Sequence, residues 1–428
     1  MNPNTKISEK LLYYIWQYQK FNTHLLKTEG GESLQIVHVG QPNTNAGPDF
    51  LEAKILINDI LWVGNVEIHV SSADWQIHNH HQNPDYDTVI LHVVWENKPE
   101  IIRNNGAKIP ALCLNSIVNE LFFVDYQSLI NSPTAIPCLP QFEKVNSITK
   151  ILMLEKVLIN RLERKAELVL KSLAHNQNDW EETTYQLIGK TMGFGLNSIP
   201  FERLTQIVPL KIIQKHADSI LAIESILFGV AGFLEDPIDD YTQSLQKEYL
   251  FLRAKYNFTQ QMGKHEWKFM RLRPANFPTV RIAQFAQIIK TKKSLFSHFI
   301  LFDDAHFLKE TLTTQPTQYW QHHYIFGETT NETLTGIGKT SIENLLINAA
   351  APLLVAYSLH KNEPLYMEKV LLLLENLKSE ANKITKFWGS LNFAAKNAFD
   401  SQAQIELYNE YCLKKACLNC NIGAALLK

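Results

Sequence analysis

The chain has 428 residues, 45% hydrophobic and 20% charged, which supplies a sizeable core and excludes intrinsic disorder. Its net charge of −2, from 41 basic and 43 acidic residues, excludes a polybasic strategy for binding nucleic acid or membrane and leaves room only for a local basic groove. No apolar run approaches the roughly 18 residues that cross a bilayer, Ala349 to Leu359 being the longest candidate. Met1 to Lys10 is polar and reads as no signal peptide, and five cysteines make no disulfide scaffold. A cytoplasmic protein of roughly two or three domains, without a membrane partner, is expected.

Residues 1–130 are rich in strand patterns. Ile7 to Lys20 reads as an amphipathic helix with Leu11, Leu12, Ile15 and Trp16 on one face, ended by the polar, glycine-rich stretch Thr28 to Glu32. Ser33 to Val39 alternates like a strand. The loop Gly40 to Pro48 leads into two β-rich runs, Phe50 to Ile57 and Ile60 to Val70, and the Asn58-Asp59 pair between them predicts a hairpin. Thr88 to Trp95 is nearly all apolar, as in a strand covered on both faces, and Ile109 to Leu114 reads as a short further strand.

From about residue 145 the pattern turns helical, over Ile151 to Leu173, Ile212 to Phe233, Gln243 to Tyr256, Thr279 to Ile289, Ile342 to Leu359 and Glu368 to Ala381. The expected architecture is α+β: an α/β domain with a mixed sheet over residues 1–130, then a larger, mostly helical region over 131–428 carrying a C-terminal cysteine cluster.

The segments Gly47-Pro48-Asp49-Phe50 and Gly64-Asn65-Val66-Glu67-Ile68-His69-Val70 carry the chemistry. Residues i and i+2 of a strand share a face, so Glu67 and His69 project together, and Asp49 joins them if the hairpin register sets it opposite. Two converging carboxylates make a hard oxygen site suited to Mg²⁺ or Mn²⁺. That arrangement resembles the PD-(D/E)XK nuclease superfamily, which places Pro-Asp before one hairpin strand and (D/E)-X-K on the next. The resemblance implies a restriction-endonuclease-like domain in which Asp49 and Glu67 bind the metal, with Glu9 on the first helix as a further acid. His69 stands where the superfamily has its lysine. Lys54, on the partner strand, falls on the other face in the same register.

Five of the fifteen histidines, His69, His78, His80, His81 and His92, fall between residues 69 and 92. His69, His78, His80 and His92 offer nitrogen ligands of the kind zinc takes. Cys412, Cys417 and Cys420 form a C-x4-C-x2-C pattern that fits three corners of a zinc site or an iron–sulfur cluster, with Cys138 as fourth ligand and Cys113 as core. Arg271, Arg273 and Arg281, in a proline-punctuated basic segment, have the character of a phosphate grip for a nucleic-acid substrate. Gly336-Ile337-Gly338-Lys339-Thr340 looks like the end of a phosphate-binding loop, but Thr333 stands where that motif needs glycine, so it reads as a turn opening a helix.

Over nearly its full length the chain is also similar to an uncharacterised bacterial family, domain-of-unknown-function family 2851, through the GPDF and GNVEIH segments, the ILHVV strand, Arg273 to Ala286, GIGKTS and the cysteine tail. That resemblance implies a bacterial source and no particular activity. The leading expectation is a metal-dependent nuclease with catalytic and metal-binding Asp49, Glu67 and His69. The alternatives are a non-catalytic nucleic-acid-binding or scaffold protein with a decayed nuclease fold, and a histidine-based zinc hydrolase.

Overall fold

In the computed structural model, residues 7–103, 106–292, 294–302 and 304–427 are described. Helix α1 (Glu9–Gln17) starts at Ser8, whose hydroxyl accepts the Leu11 N–H, and buries Leu11, Leu12, Tyr14, Ile15 and Trp16. It ends earlier than its apolar pattern, because Gln19 adopts a left-handed φ of 46°.

Strands β1 (Leu26–Lys27), β2 (Ser33–His38), β3 (Gln41–Pro42), β4 (Phe50–Ile57), β5 (Ile60–Ser71), β6 (Val89–Glu96) and β7 (Ala111–Cys113) form one sheet in the order β1-β2-β4-β5-β6-β7, with β3 paired to β4. The first five pair antiparallel, and β5, β6 and β7 run parallel. Asn58 and Asp59 both take positive φ, the geometry a two-residue hairpin loop requires, and Ile57 pairs with Ile60 across them. In β6 every residue from Val89 to Trp95 is buried, as its continuous apolar pattern implies.

The remaining chain is mostly helical, which makes the architecture α+β. Helix α2 (Asp74–Ile77) follows β5, α3 (Glu120–Ile130) follows β7, and α4 (Ser147–His175) spans the change of texture. The segment Ile212 to Phe233, one helix by periodicity, is two: Leu210–Gln214 and Ile220–Val230. Ser219 breaks it by capping the second helix through the Ala222 N–H. Gly338 begins the helical stretch Lys339–Lys361, which is long and apolar enough by length and composition to cross a membrane. That corrects the expectation from apolar runs alone; 72% of its apolar window is buried inside the fold.

The chain forms two compact units, Met1–Met153 with Leu407–Lys428, and Leu154–Glu406. The boundary expected at residue 130 thus lies inside the first unit, and the cysteine-bearing tail belongs with the sheet and not with the helical region.

Gly64 lets β5 approach β6. A Cβ there would meet Ile90 Cγ2 at 2.5 Å and the Thr88 carbonyl oxygen at 2.6 Å. Gly64→Ala is expected to destabilise the protein by roughly 1–3 kcal/mol, seen as a lower urea midpoint. A midpoint equal to wild type would refute this close approach.

Candidate metal centre on the mixed sheet

Asp49 is held at the start of β4 by the loop before it. Gly47 adopts φ 106°, the Asn43 side chain donates to the Pro48 carbonyl at 2.9 Å, and the Asn43 N–H donates to the Asp49 carbonyl at 2.8 Å. The pairing of Phe50 with Val66 places Asp49 opposite Glu67. A bulge follows: Glu52 takes φ 56°, its N–H donates to Asn65 Oδ1 at 3.1 Å, and the register shifts before Ala53 pairs with Gly64. Lys54 pairs with Val63 and is exposed.

The two acids are locked to each other's backbone. The Asp49 N–H donates to Glu67 Oε2 at 3.2 Å, and the Ile68 N–H donates to Asp49 Oδ2 at 2.9 Å. The Tyr13 hydroxyl, from α1, donates to Asp49 Oδ1 at 2.6 Å. Glu9, one helical turn earlier, contributes its charge to the surroundings of Asp49 and Glu67.

The histidines arrive from β5, β6 and the loop between them. Asp74 Oδ2 accepts the Ser71 N–H at 3.0 Å, and Trp75 and Tyr86 pack with Val89, Ile101 and Ile109 in a small apolar core under the loop. Tyr86 stacks on His80 with ring centroids 3.8 Å apart. Asn79, at φ 60°, turns the chain between His78 and His80. The ligand atoms of His69, His78 and His80 all lie within 4.8 Å of one another.

His69 Nδ1 and His92 Nε2 share a hydrogen bond of 2.9 Å, and His69 Nε2 lies 3.2 Å from His78 Nδ1. Glu67 Oε1 lies 3.4 Å from His69 Nε2 and 3.1 Å from His80 Nε2. The last contact lacks hydrogen-bond alignment, so His80 Nε2 is buried without a partner, as is His92 Nδ1.

Burial, aided by neighbouring imidazoles, holds His69 down to about 2, His80 to about 4 and His92 to about 3, so all three are neutral at pH 7. Burial pushes both carboxyls up, Glu67 further than Asp49 because the Asp49 charge adds to it. Burial and Asp49 also push the Tyr13 hydroxyl up, keeping it a donor. Oxygen and nitrogen atoms therefore converge around Glu67 Oε1, from the buried Glu67 and His69 out to the half-buried His80 and exposed His78, and a proton or a cation between them would offset their lone pairs. The donor set of carboxylate and imidazole fits a divalent ion of Mn²⁺ or Zn²⁺ character better than Mg²⁺.

Asp49, Glu67, His69, His78, His80 and His92 are thus brought together. Tyr13 and Tyr86 stand in no motif of the sequence, although Tyr13 follows Glu9 by the four residues that align side chains on a helix. The arginines are not a joint grip. Arg271 and Arg273 are exposed, whereas Arg281 is 4% exposed and donates to Gln284 Oε1, Asn276 Oδ1 and Ser341 Oγ while lying 4.3 Å from the Phe194 ring centre. Arg281 is committed to packing inside the Leu154–Glu406 unit.

Fold and site together define an α+β protein whose mixed sheet carries an acid–histidine centre. The chain belongs to a family of proteins of unknown function, DUF2851, whose model matches residues 9–383. No curated protein and no solved structure matches the chain.

The raised Glu67 carboxyl has a thermodynamic signature. Its contribution to stability is fully present below the ordinary carboxylate range and is lost as pH rises toward the folded value. Each pH unit crossed is worth about 1.4 kcal/mol, or roughly 3–6 °C in Tm. Without metal, in EDTA, Glu67→Gln is expected to gain Tm relative to wild type between pH 5 and pH 8 by at least that amount. The imidazole contributions run the opposite way, being lost as pH falls, and are common to both proteins. A constant Tm difference across the range would show that Glu67 is not perturbed.

Proposed function

We propose that this protein is a metal-dependent phosphodiesterase of the nuclease type, with Asp49, Glu67 and His69 as its metal ligands. The observation that carries this reading is the Glu67 carboxyl, its Oε1 within 3.4 Å of two neutral imidazole nitrogens and its Oε2 accepting the Asp49 N–H across an antiparallel hairpin. Pro-Asp before one hairpin strand and Glu-x-His on the next reproduce the placement of the acids in the PD-(D/E)XK pattern, with histidine in the lysine's place.

A divalent ion bound here would activate water and neutralise charge on a phosphoryl oxygen. The residues around it have separable tasks. Tyr13 fixes the Asp49 carboxylate through its short hydrogen bond. His92 fixes the His69 ring, so that with Nδ1 donating, Nε2 keeps its lone pair toward Glu67. Glu67 would hold the ion through Oε1, which faces His69 Nε2 and His80 Nε2. The near-neutral net charge suits a nucleic acid bound at a defined site better than indiscriminate DNA coating.

A second reading is favoured by the His69–His78–His80 trio, whose spacing suits a zinc-dependent hydrolase. The experiment is cleavage of labelled single- and double-stranded DNA and RNA with Mn²⁺, Mg²⁺ or Zn²⁺, using wild type, Glu67→Gln, Asp49→Asn and Tyr13→Phe. Mn²⁺-supported cleavage is expected, reduced roughly 1,000-fold in Glu67→Gln and Asp49→Asn and about 10-fold in Tyr13→Phe. Equal cleavage by wild type and Glu67→Gln would refute the proposal. No cleavage with any ion, together with stoichiometric zinc released by His78→Ala, would transfer support to the zinc hydrolase.

A further inference from the structure

Among the described residues no cysteine is in a disulfide, and four of the five, Cys138, Cys412, Cys417 and Cys420, are buried in the first unit at 6–8% exposure. Each sits on a different local structure. Cys138 precedes the turn Leu139–Lys144, and Cys412 ends the wide π-helical turn Leu407–Cys412. Cys417 opens the short turn Cys417–Asn419, and Cys420 precedes the last helix, Asn421–Leu426.

Between Cys412 and Cys420 the chain doubles back tightly. Lys415 adopts φ 50°, the Ala416 N–H donates to the Tyr411 carbonyl at 2.8 Å, and the Cys420 N–H donates to the Cys417 carbonyl at 3.2 Å. A Cβ on Gly423 would stand 2.4 Å from the Cys417 carbonyl oxygen, so the last helix closes onto this knuckle only because that residue is glycine. Lys415 Nζ donates to the Ile130 carbonyl at 2.6 Å and to the Ser132 carbonyl at 3.3 Å, tying the knuckle to the segment that leads to Cys138. The Asn421 N–H meets Met153 Sδ at 3.2 Å. The four cysteines are thereby gathered in one region: burial and the neighbouring Cys420, Cys138 and Cys417 push the Cys412 thiol up, and burial, Cys420 and Cys417 push up that of Cys138.

Thiols used as small apolar fillers need no such convergence. Cys113 shows that ordinary case: it is half-buried on β7, its Sγ donating to the Trp95 carbonyl at 3.1 Å. Four buried thiolates complete the ligand set of one tetrahedral zinc or of a sulfide-bridged iron cluster, and either would draw the sulfurs onto one centre. Wide π-type turns of the kind that delivers Cys412 recur at functional sites.

We propose that Cys138, Cys412, Cys417 and Cys420 hold a thiolate-ligated metal centre, one zinc or one iron–sulfur cluster, that fastens the C-terminal segment Leu407–Lys428 to the N-terminal unit. The site is independent of the acid–histidine centre and stands or falls without it.

The test uses the full chain purified without oxygen, with iron, acid-labile sulfide and zinc measured per chain alongside the visible spectrum. About one zinc, or two or four irons with equal sulfide and a broad visible absorption that reductant bleaches, is expected per chain. Cys417→Ser is expected to lose that metal at least tenfold, and Cys113→Ser to keep it. Should Cys417→Ser fail to fold, the wild-type metal content and the Cys113→Ser control still decide. Wild type without zinc or iron, its four thiols reacting with a thiol reagent in the folded protein, overturns the proposal.

Discussion

A carboxyl group placed out of reach of water must keep its proton or face a cation. Glu67, 4% exposed and ringed by imidazoles that burial keeps neutral, is under that constraint, and much of the first unit is arranged around it. The β4–β5 register sets Asp49 opposite, the bulge at Glu52 ends that register within three residues, and Gly64 lets β6 come close enough to bring in His92. The apolar core of Trp75, Tyr86, Val89, Ile101 and Ile109 holds the loop that carries His78 and His80. Hydrophobic burial thus positions polar groups that would repel one another if protonated, or leave one another unsatisfied if not. Stability spent this way is typical of functional sites.

The parts of this arrangement that were legible in the sequence are those with a local signature. Asn58-Asp59 marks a two-residue turn because both residues tolerate positive φ, and that turn fixes the register as far as Ala53 opposite Gly64; the bulge at Glu52, which has no local signature, shifts it by one residue and so sets Asp49 opposite Glu67. The apolar run of β6, interrupted only by His92 between Val89 and Trp95, points to a strand covered on both faces, and the i, i+2 spacing puts Glu67 and His69 on one face. The crowding of histidines between residues 69 and 92 pointed to a cluster, and His69, His78 and His80 form it.

What was illegible depends on distant contacts or on short polar features within apolar patterns. Ser219 splits a segment whose periodicity runs on through it, since a single capping hydroxyl leaves hydrophobic spacing intact. The Lys339–Lys361 helix passes for a membrane span once its polar residues are averaged over a long window, and only its burial distinguishes it from one. Arg281 reads as an exposed phosphate ligand because a sequence cannot reveal that Gln284, Asn276 and Ser341 will surround it. Nothing local says that Leu407–Lys428 folds with the N-terminal sheet unit; the cysteine spacing alone hinted at a link back to Cys138.

His69 has the largest chemical consequence of any single residue in the centre. A lysine at that position would bring its own positive charge beside Asp49 and Glu67, whether or not an ion was bound. A buried imidazole held down to about 2 brings a lone pair. The exchange removes a cation from a place where two carboxyls and three imidazoles already converge, and so raises the demand for one. It also moves the donor set from hard oxygen toward mixed oxygen and nitrogen, away from Mg²⁺ and toward Mn²⁺ or Zn²⁺. On the proposed reading, histidine in the lysine's place is a change of ligand field. The decayed-fold alternative has to explain instead why His80 Nε2 and His92 Nδ1 are buried without partners, and why Tyr13 and His92 still orient an acid and an imidazole toward one point. A site released from function has no reason to keep unsatisfied polar atoms where apolar side chains would be more stable.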